Sequence, residues 1–483
     1  MELDAYRAEA EAFYQEIERE YVLHLSGRKE GFELEAIYDR HAGLFTREAA
    51  ERLREAGAPR ELVRFAVEGL FGQATKAETE ELARREATTM VAVAGTELGF
   101  REAAAAQANE ADPERRAEYE RVRLEVTERD LNPLLLAAHE RAAALARELG
   151  WTNTVAMCEE LSDIDLGALG EQAESFLAAT EERYEPLVEP ELRAQLGHGL
   201  DELRRADMPA FFRARGFDAG FPEERLLGSL ERTVAGLGVA TARVQVDAER
   251  RPTKSPRAFC AAVRVPDEVH LVIPPIGGRD DYEALMHESG HAYHYAHVDA
   301  ALPFEERCLG DNSVTEGYAF LMQHLAADAA WLGEVVGVED PEPVLSFARA
   351  SRIVFLRRYC AKLGYELSLH ADGRAPAQHA ADYAERLGRA VRVDWPAATW
   401  LTDVDPFFYA ARYLRAWAFE TRLRKLVTDR FGPRWFAEPE AGALLESLWR
   451  RGQAGTADEL LAELTGEHID LAVLAADLAG EPA

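Results

Sequence analysis

The apolar positions of this chain first change their spacing near residue 238, and that change divides the expected structure. Up to about residue 235 the pattern is helical. Glu2 to Tyr21, Arg47 to Arg54, Pro59 to Phe71 and Glu114 to Arg129 place spaced apolar residues between charges. Breaks fall at Gly57-Ala-Pro59, Asp112-Pro113, Asn132-Pro133 and Gly216 to Gly220. After Gly238 the spacing shortens to two. Val239 to Val246, Arg257 to Val265 and Glu268 to Ile273 alternate as strands, the last pair joined by Pro266-Asp267. Helical spacing then returns at Leu345 to Leu369, Ala375 to Arg389 and Phe407 to Phe431, with a final pair of helices beyond. These elements predict a mainly α protein of two lobes with a small β-sheet, split as a helical lobe at 1–235 and a second lobe at 236–483.

Between the strands and the later helices lies Asp280 to His297, itself helical, with Leu285, Ser289, Ala292 and Ala296 as a small packing face. Asp280 is the expected cap of its first turn, with Glu283 three residues on. The stretch contains His287-Glu288-Ser289-Gly290-His291, an H-E-x-x-H pentad, and four of the chain's thirteen histidines fall between 287 and 297. At about 100° per residue the imidazoles of His287 and His291 lie roughly 40° apart on neighbouring turns, so both reach one ion. Glu288 is turned aside by about a quarter turn, placed to act on a water as general base without ligating. Neutral imidazoles suit Zn²⁺, and a catalytic zinc keeps one position open for water. The competing reading is a polar helix with solvated or core histidines.

A zinc site needs a third ligand, and spacing leaves it open. His297 follows His287 by ten residues, the interval of zincins in which a glycine ends the helix, but here that glycine position is His294. His294 and His297 are therefore read as cleft or supporting groups. Glu316 follows His291 by 25 residues and would complete a His₂Glu set, although Ser313-x-x-Glu316 also reads as a capping box. Glu305 and Glu306 are further candidates.

Lys254 to Cys260 (Lys-Ser-Pro-Arg-Ala-Phe-Cys), Gly277 to Tyr282, the pentad and Glu316 together resemble the thimet oligopeptidase and oligoendopeptidase F family of zinc metallopeptidases. The likeness covers about residues 250 to 325, with a weaker echo near 405 to 420. It implies one Zn²⁺ held by His287, His291 and Glu316, and hydrolysis of internal bonds in short peptides with Glu288 as general base. It implies further that Tyr409 and Tyr413, which match the family's Tyr-x-x-x-Tyr, donate to the oxyanion. A histidine usual before the first tyrosine is replaced by Asp403, Val404 and Asp405. In zinc peptidases of this type an edge strand pairs with the substrate backbone. A metallocarboxypeptidase of the carboxypeptidase Taq type is the lesser enzymatic reading, since its His-Glu-Ser-Gln segment is lacking. A peptidase-like binding protein with a lapsed metal site is the non-enzymatic one.

Composition narrows the partners. A net charge of −32 argues against nucleic-acid and anionic-membrane surfaces, and no apolar run reaches membrane length. Cys158, Cys260, Cys308 and Cys360 have no paired spacing and are expected to be reduced thiols in a cytoplasmic protein. The oligomeric state is not legible.

Overall fold

The computed structural model describes residues 2–371 and 373–480. It is mainly α-helical, with two small sheets. Among the described residues no helix is long and apolar enough to cross a membrane, and the four cysteines are free thiols.

Two compact units interleave along the chain. The first comprises Met1–Gly69, Phe217–Leu345 and Arg415–Ala483; the second comprises Leu70–Gly216 and Ser346–Leu414. The linear division at 235/236 treats each lobe as continuous, whereas residue 235 lies inside the first unit. Helical spacing alone carries no record of which distant helices share a core.

The second unit contains a hairpin absent from the sequence reading. β1 (Met90–Val93) pairs antiparallel with β2 (Thr96–Gly99), and Val91, Val93 and Leu98 enter a core with Phe100, Val122 and Leu131. Ala94 and Gly95, both at positive φ, make the two-residue turn. Several of the unit's buried charges are paired: the Arg116 Nε donates to Asp207 at 2.8 Å. Lys362 Nζ lies 2.8 Å from Asp405, and Arg358 pairs with Asp403.

In the first unit the expected strands appear in shortened form as β3 (Val244–Asp247), β4 (Phe259–Arg264) and β5 (Glu268–Val272), ordered β3-β5-β4. β5 runs parallel to β3 and antiparallel to β4, and is almost wholly buried, as a central strand must be. Lys254, itself buried, ties the sheet's end together. Its Nζ donates to the Asp247 carbonyl at 2.7 Å, the Asp247 carboxylate at 3.0 Å and the Ile273 carbonyl at 3.0 Å. The opening helix, Leu3–Leu25, covers β4 through Val22, which packs on Ala261 and Val263.

The pentad lies in the helix Arg279–His297, here the histidine helix, which packs on β4 and β5. The Asp280 cap is not what starts it. The N-terminal residue is Gly278, with no side-chain cap, and Asp281 instead folds back to accept from the Ile276 and Gly277 amides, each at 2.7 Å. Gly277 and Gly278 both have positive φ, and a side chain on Gly277 would meet the Glu223 amide nitrogen at 2.9 Å. The turn is thus folded too tightly for a capping geometry at Asp280.

Candidate active site

The helix that follows, Asn312–His324, is the glutamate helix, and it lies closer to the histidine helix than ordinary side chains allow. A methyl group on Gly290 would sit 2.5 Å from the Ala319 Cα and 2.7 Å from the Tyr318 carbonyl oxygen. The glycine inside the pentad is therefore a contact surface that lets one backbone rest on the other. Gly317 is similar, with the Phe419 ring occupying the space of a side chain.

That close crossing carries Glu316 to the two imidazoles. Glu316 Oε2 lies 3.5 Å from His287 Nε2 and 3.6 Å from His291 Nε2. One ligand atom from each of the three residues falls within 4.8 Å of the others. Ligand atoms around a tetrahedral zinc at 2.0–2.1 Å are separated by about 3.3 Å, so the group has the dimensions of a metal cage. The capping alternative for Glu316 does not hold: Asp311 caps the glutamate helix through its Oδ1 to the Ser313 amide at 2.9 Å. The other oxygen, Asp311 Oδ2, accepts from the Ala457 amide at 3.1 Å.

Each imidazole is held by its other nitrogen. His287 Nδ1 donates to Gln323 Oε1 at 2.8 Å, and Gln323 Nε2 donates to Glu283 at 2.9 Å. Because Glu283 can only accept, it fixes the amide orientation, which fixes the His287 tautomer with Nε2 free to face Glu316. His291 Nδ1 is 2.9 Å from Thr315 Oγ1. Glu283 thus acts on His287 through Gln323 rather than directly. Gln323 and Thr315 were not singled out in the sequence, although one precedes Glu316 directly and the other follows it by two turns on the same helix face.

Burial disfavours charge on Glu316, but the neighbouring His291, together with hydrogen bonds and charge from both imidazoles, holds its carboxyl far below the usual range. Burial likewise opposes protonation of His287. The Glu316 hydrogen bond and charge outweigh it and raise the pKa. Both shifts have one cause, a buried carboxylate facing two imidazoles, and that concentration of ligand-type groups suits a cation.

Glu288 stands beside the group. Its Oε2 accepts from the Cys260 amide of β4 at 2.8 Å. β4 is an edge strand, and this N–H is already used, so the carboxylate is aimed by backbone. The phenyl ring of Phe320 lies 5.1 Å from the His287 ring and stacks on Trp417 at 4.9 Å, making one apolar wall.

The remaining histidines of the helix are not part of this group. His294 is fully buried, donates to the Gly452 carbonyl at 3.2 Å and has its pKa pushed down to about 3 by burial. His297 donates to the Tyr293 carbonyl at 2.7 Å and lies 3.5 Å from Glu446. His294 is thus a core group and His297 a partly buried one, and neither joins the His287–His291–Glu316 group. Glu305 is taken by Arg7 at 2.8 Å. Tyr409 and Tyr413 belong to the second unit, where their rings meet edge to face at 4.9 Å and Tyr413 also meets Tyr359 at 5.6 Å. In the same unit Asp403 and Asp405, which stand in the stretch where a histidine was expected, serve the ion pairs with Arg358 and Lys362.

No family model and no curated protein matches the chain. Its fold, however, is found among solved structures. A solved structure from Bacillus anthracis strain Ames, provisionally assigned as an oligoendopeptidase F, superposes over 97% of this chain and 82% of its own, with a TM-score of 0.62 and 14% identity. At that identity the likeness is one of fold.

Proposed function

We propose that this chain is a metallopeptidase hydrolysing internal bonds of short peptides. The observation that carries the reading is the convergence of His287 Nε2 and His291 Nε2 on Glu316 Oε2, with Glu288 alongside. The resemblance of residues 250 to 325 to thimet oligopeptidase and oligoendopeptidase F, and the fold shared with the Bacillus anthracis protein, support the substrate class. Two imidazoles and a carboxylate are the donor set of catalytic zinc, and His287, His291 and Glu316 would hold the ion. When bound, it supplies Lewis-acid polarisation of the scissile carbonyl and makes water acidic enough to attack near neutral pH.

The chain's own groups do the rest. Glu288 Oε1 takes the proton of the attacking water and passes it to the leaving amine nitrogen, while the Cys260 amide holds Oε2 and prevents rotation. Glu283 and Gln323 keep the His287 Nδ1 protonated and its Nε2 available. Tyr409 and Tyr413 are the expected donors to the developing oxyanion, on the strength of the Tyr-x-x-x-Tyr resemblance. The test is a library of short peptides, blocked and free at the C-terminus, incubated with the protein with and without a chelator. Internal cleavage that the chelator abolishes supports the proposal. Release of single residues only from free C-termini would favour a carboxypeptidase, and chelator-insensitive cleavage would remove the metal from the mechanism.

A further inference from the structure

The second unit contains a cleft of about 250 Å³ whose lining includes three arginines, Arg123, Arg205 and Arg358, and three carboxylates, Glu86, Glu120 and Asp403. None of the metal-ligand candidates lines it. Two of the guanidiniums are neutralised in place. Arg205 Nη1 donates to Glu120 at 2.7 Å, and Arg358 pairs with Asp403. Glu86, another lining carboxylate, pairs with Arg101 at 3.1 Å.

Arg123 differs. Among the described residues its hydrogen-bond partner is the neutral Gln107, which accepts from Nη1 at 3.0 Å and is itself tied to the Ala206 carbonyl. Its Nε is buried with no hydrogen-bond partner. Its guanidinium lies 5.7 Å from the centre of the Phe100 ring. Burial first, and then the like charge of Arg205, push its pKa down, while Glu120 acts the other way. One carboxylate thus stands near two guanidiniums. Arginine does not discharge to relieve this, so the cleft wall keeps an uncompensated cation in a chain of net charge −32. A partly buried cation left so carries a desolvation cost that a bound anion would offset.

We propose that this cleft binds a compact oxyanion, a phosphate or a small carboxylate, seated against Arg123 and Arg205. Guanidinium forks match such groups in both geometry and charge. The volume lies just below the range of about 300–1,000 Å³ usual for larger ligands, which favours a small anion over a nucleotide.

The experiment is calorimetric titration and thermal unfolding of the full chain in sodium phosphate or sodium succinate, against sodium chloride at matched ionic strength. Saturable binding of phosphate, of succinate or of both, at a Kd on the order of 1 mM or tighter, supports the site and tells the two anions apart. Arg123→Gln should weaken that binding by about tenfold or more. Arg123→Lys should lose less, because it keeps the charge. Arg121→Gln, which removes a surface pair with Glu125 at 2.6 Å, should change nothing. The proposal is overturned if wild-type protein gives no saturable signal, if chloride stabilises equally, or if a folded Arg123→Gln protein binds as the wild type does.

Discussion

Replacing Gly290 by alanine should damage metal binding without touching a ligand. The added Cβ would lie 2.5 Å from the Ala319 Cα, and ordinary contact begins near 3.4 Å, so the helices must part by about 0.9 Å at that point. The obstacle is backbone, which has no rotamer to swing aside. Such overpacking costs about 1–3 kcal/mol. Glu316 lies less than one turn from Ala319 and moves with it, while ligand distances tolerate only about ±0.2 Å. A loss of metal affinity of at least tenfold is therefore expected, comparable to the effect of removing a group that orients a ligand. The assay is competition for zinc against a chelator of known affinity, read beside the unfolding temperature of the metal-free variant. A Gly290→Ala protein that unfolds at the wild-type temperature and holds zinc as tightly would refute the claim that this glycine sets the helix spacing.

The other expectations follow from single contacts. Gln323→Leu removes the bridge between Glu283 and His287; zinc affinity should fall by about 10–100-fold, and an unchanged value in the same competition assay would reassign the bridge to packing. Glu18, on the opening helix, has its carboxyl pushed up from 4.5 to about 7 by burial. The folded chain therefore holds a proton that the unfolded chain releases, and stability is lost as pH rises through about 7. The penalty reaches at most about 3.5 kcal/mol, at roughly 1.4 kcal/mol per tenfold change in proton affinity. Glu18→Gln should accordingly raise the unfolding temperature near pH 8 and leave it unchanged near about pH 4; a gain that is equal at both would contradict the assignment. Tyr409→Phe or Tyr413→Phe should lower kcat by about 10²-fold or more with KM little changed if that phenol donates to the oxyanion, and full kcat in both would discard the role. Glu288→Gln should keep the metal and lose about 10²–10⁴-fold in turnover, whereas a smaller loss would pass the proton transfer to another group.

How far the site could be read in advance depends on whether each feature is local. His287, Glu288 and His291 share one helix, so a regular turn of about 100° per residue was enough to group them. Glu316 arrives from another helix, and spacing alone could not separate a ligand from a capping glutamate; the structure shows Asp311 in the cap and Glu316 facing the rings. Gln323 and Thr315 escaped notice because their partners are far along the chain, although Gln323 sits on the Glu316 face and Thr315 is the neighbour of Glu316 in sequence. Gly290 matched a motif position, but its reason, the Ala319 backbone, is also remote. The Asp280 cap failed because Gly277 and Gly278 redirect the chain first. The Met90–Gly99 hairpin was missed because its strands are four residues each and lie among helical segments. Two interleaved units are the extreme case, since membership depends entirely on long-range packing.

The most direct test of the central claim is the metal content of purified wild-type protein beside Glu316→Ala, both loaded with zinc and dialysed against a weak chelator. Retention of close to one zinc per wild-type chain, with most of it lost from the variant, is the predicted result. Equal retention by both proteins, or none by the wild type, would contradict it.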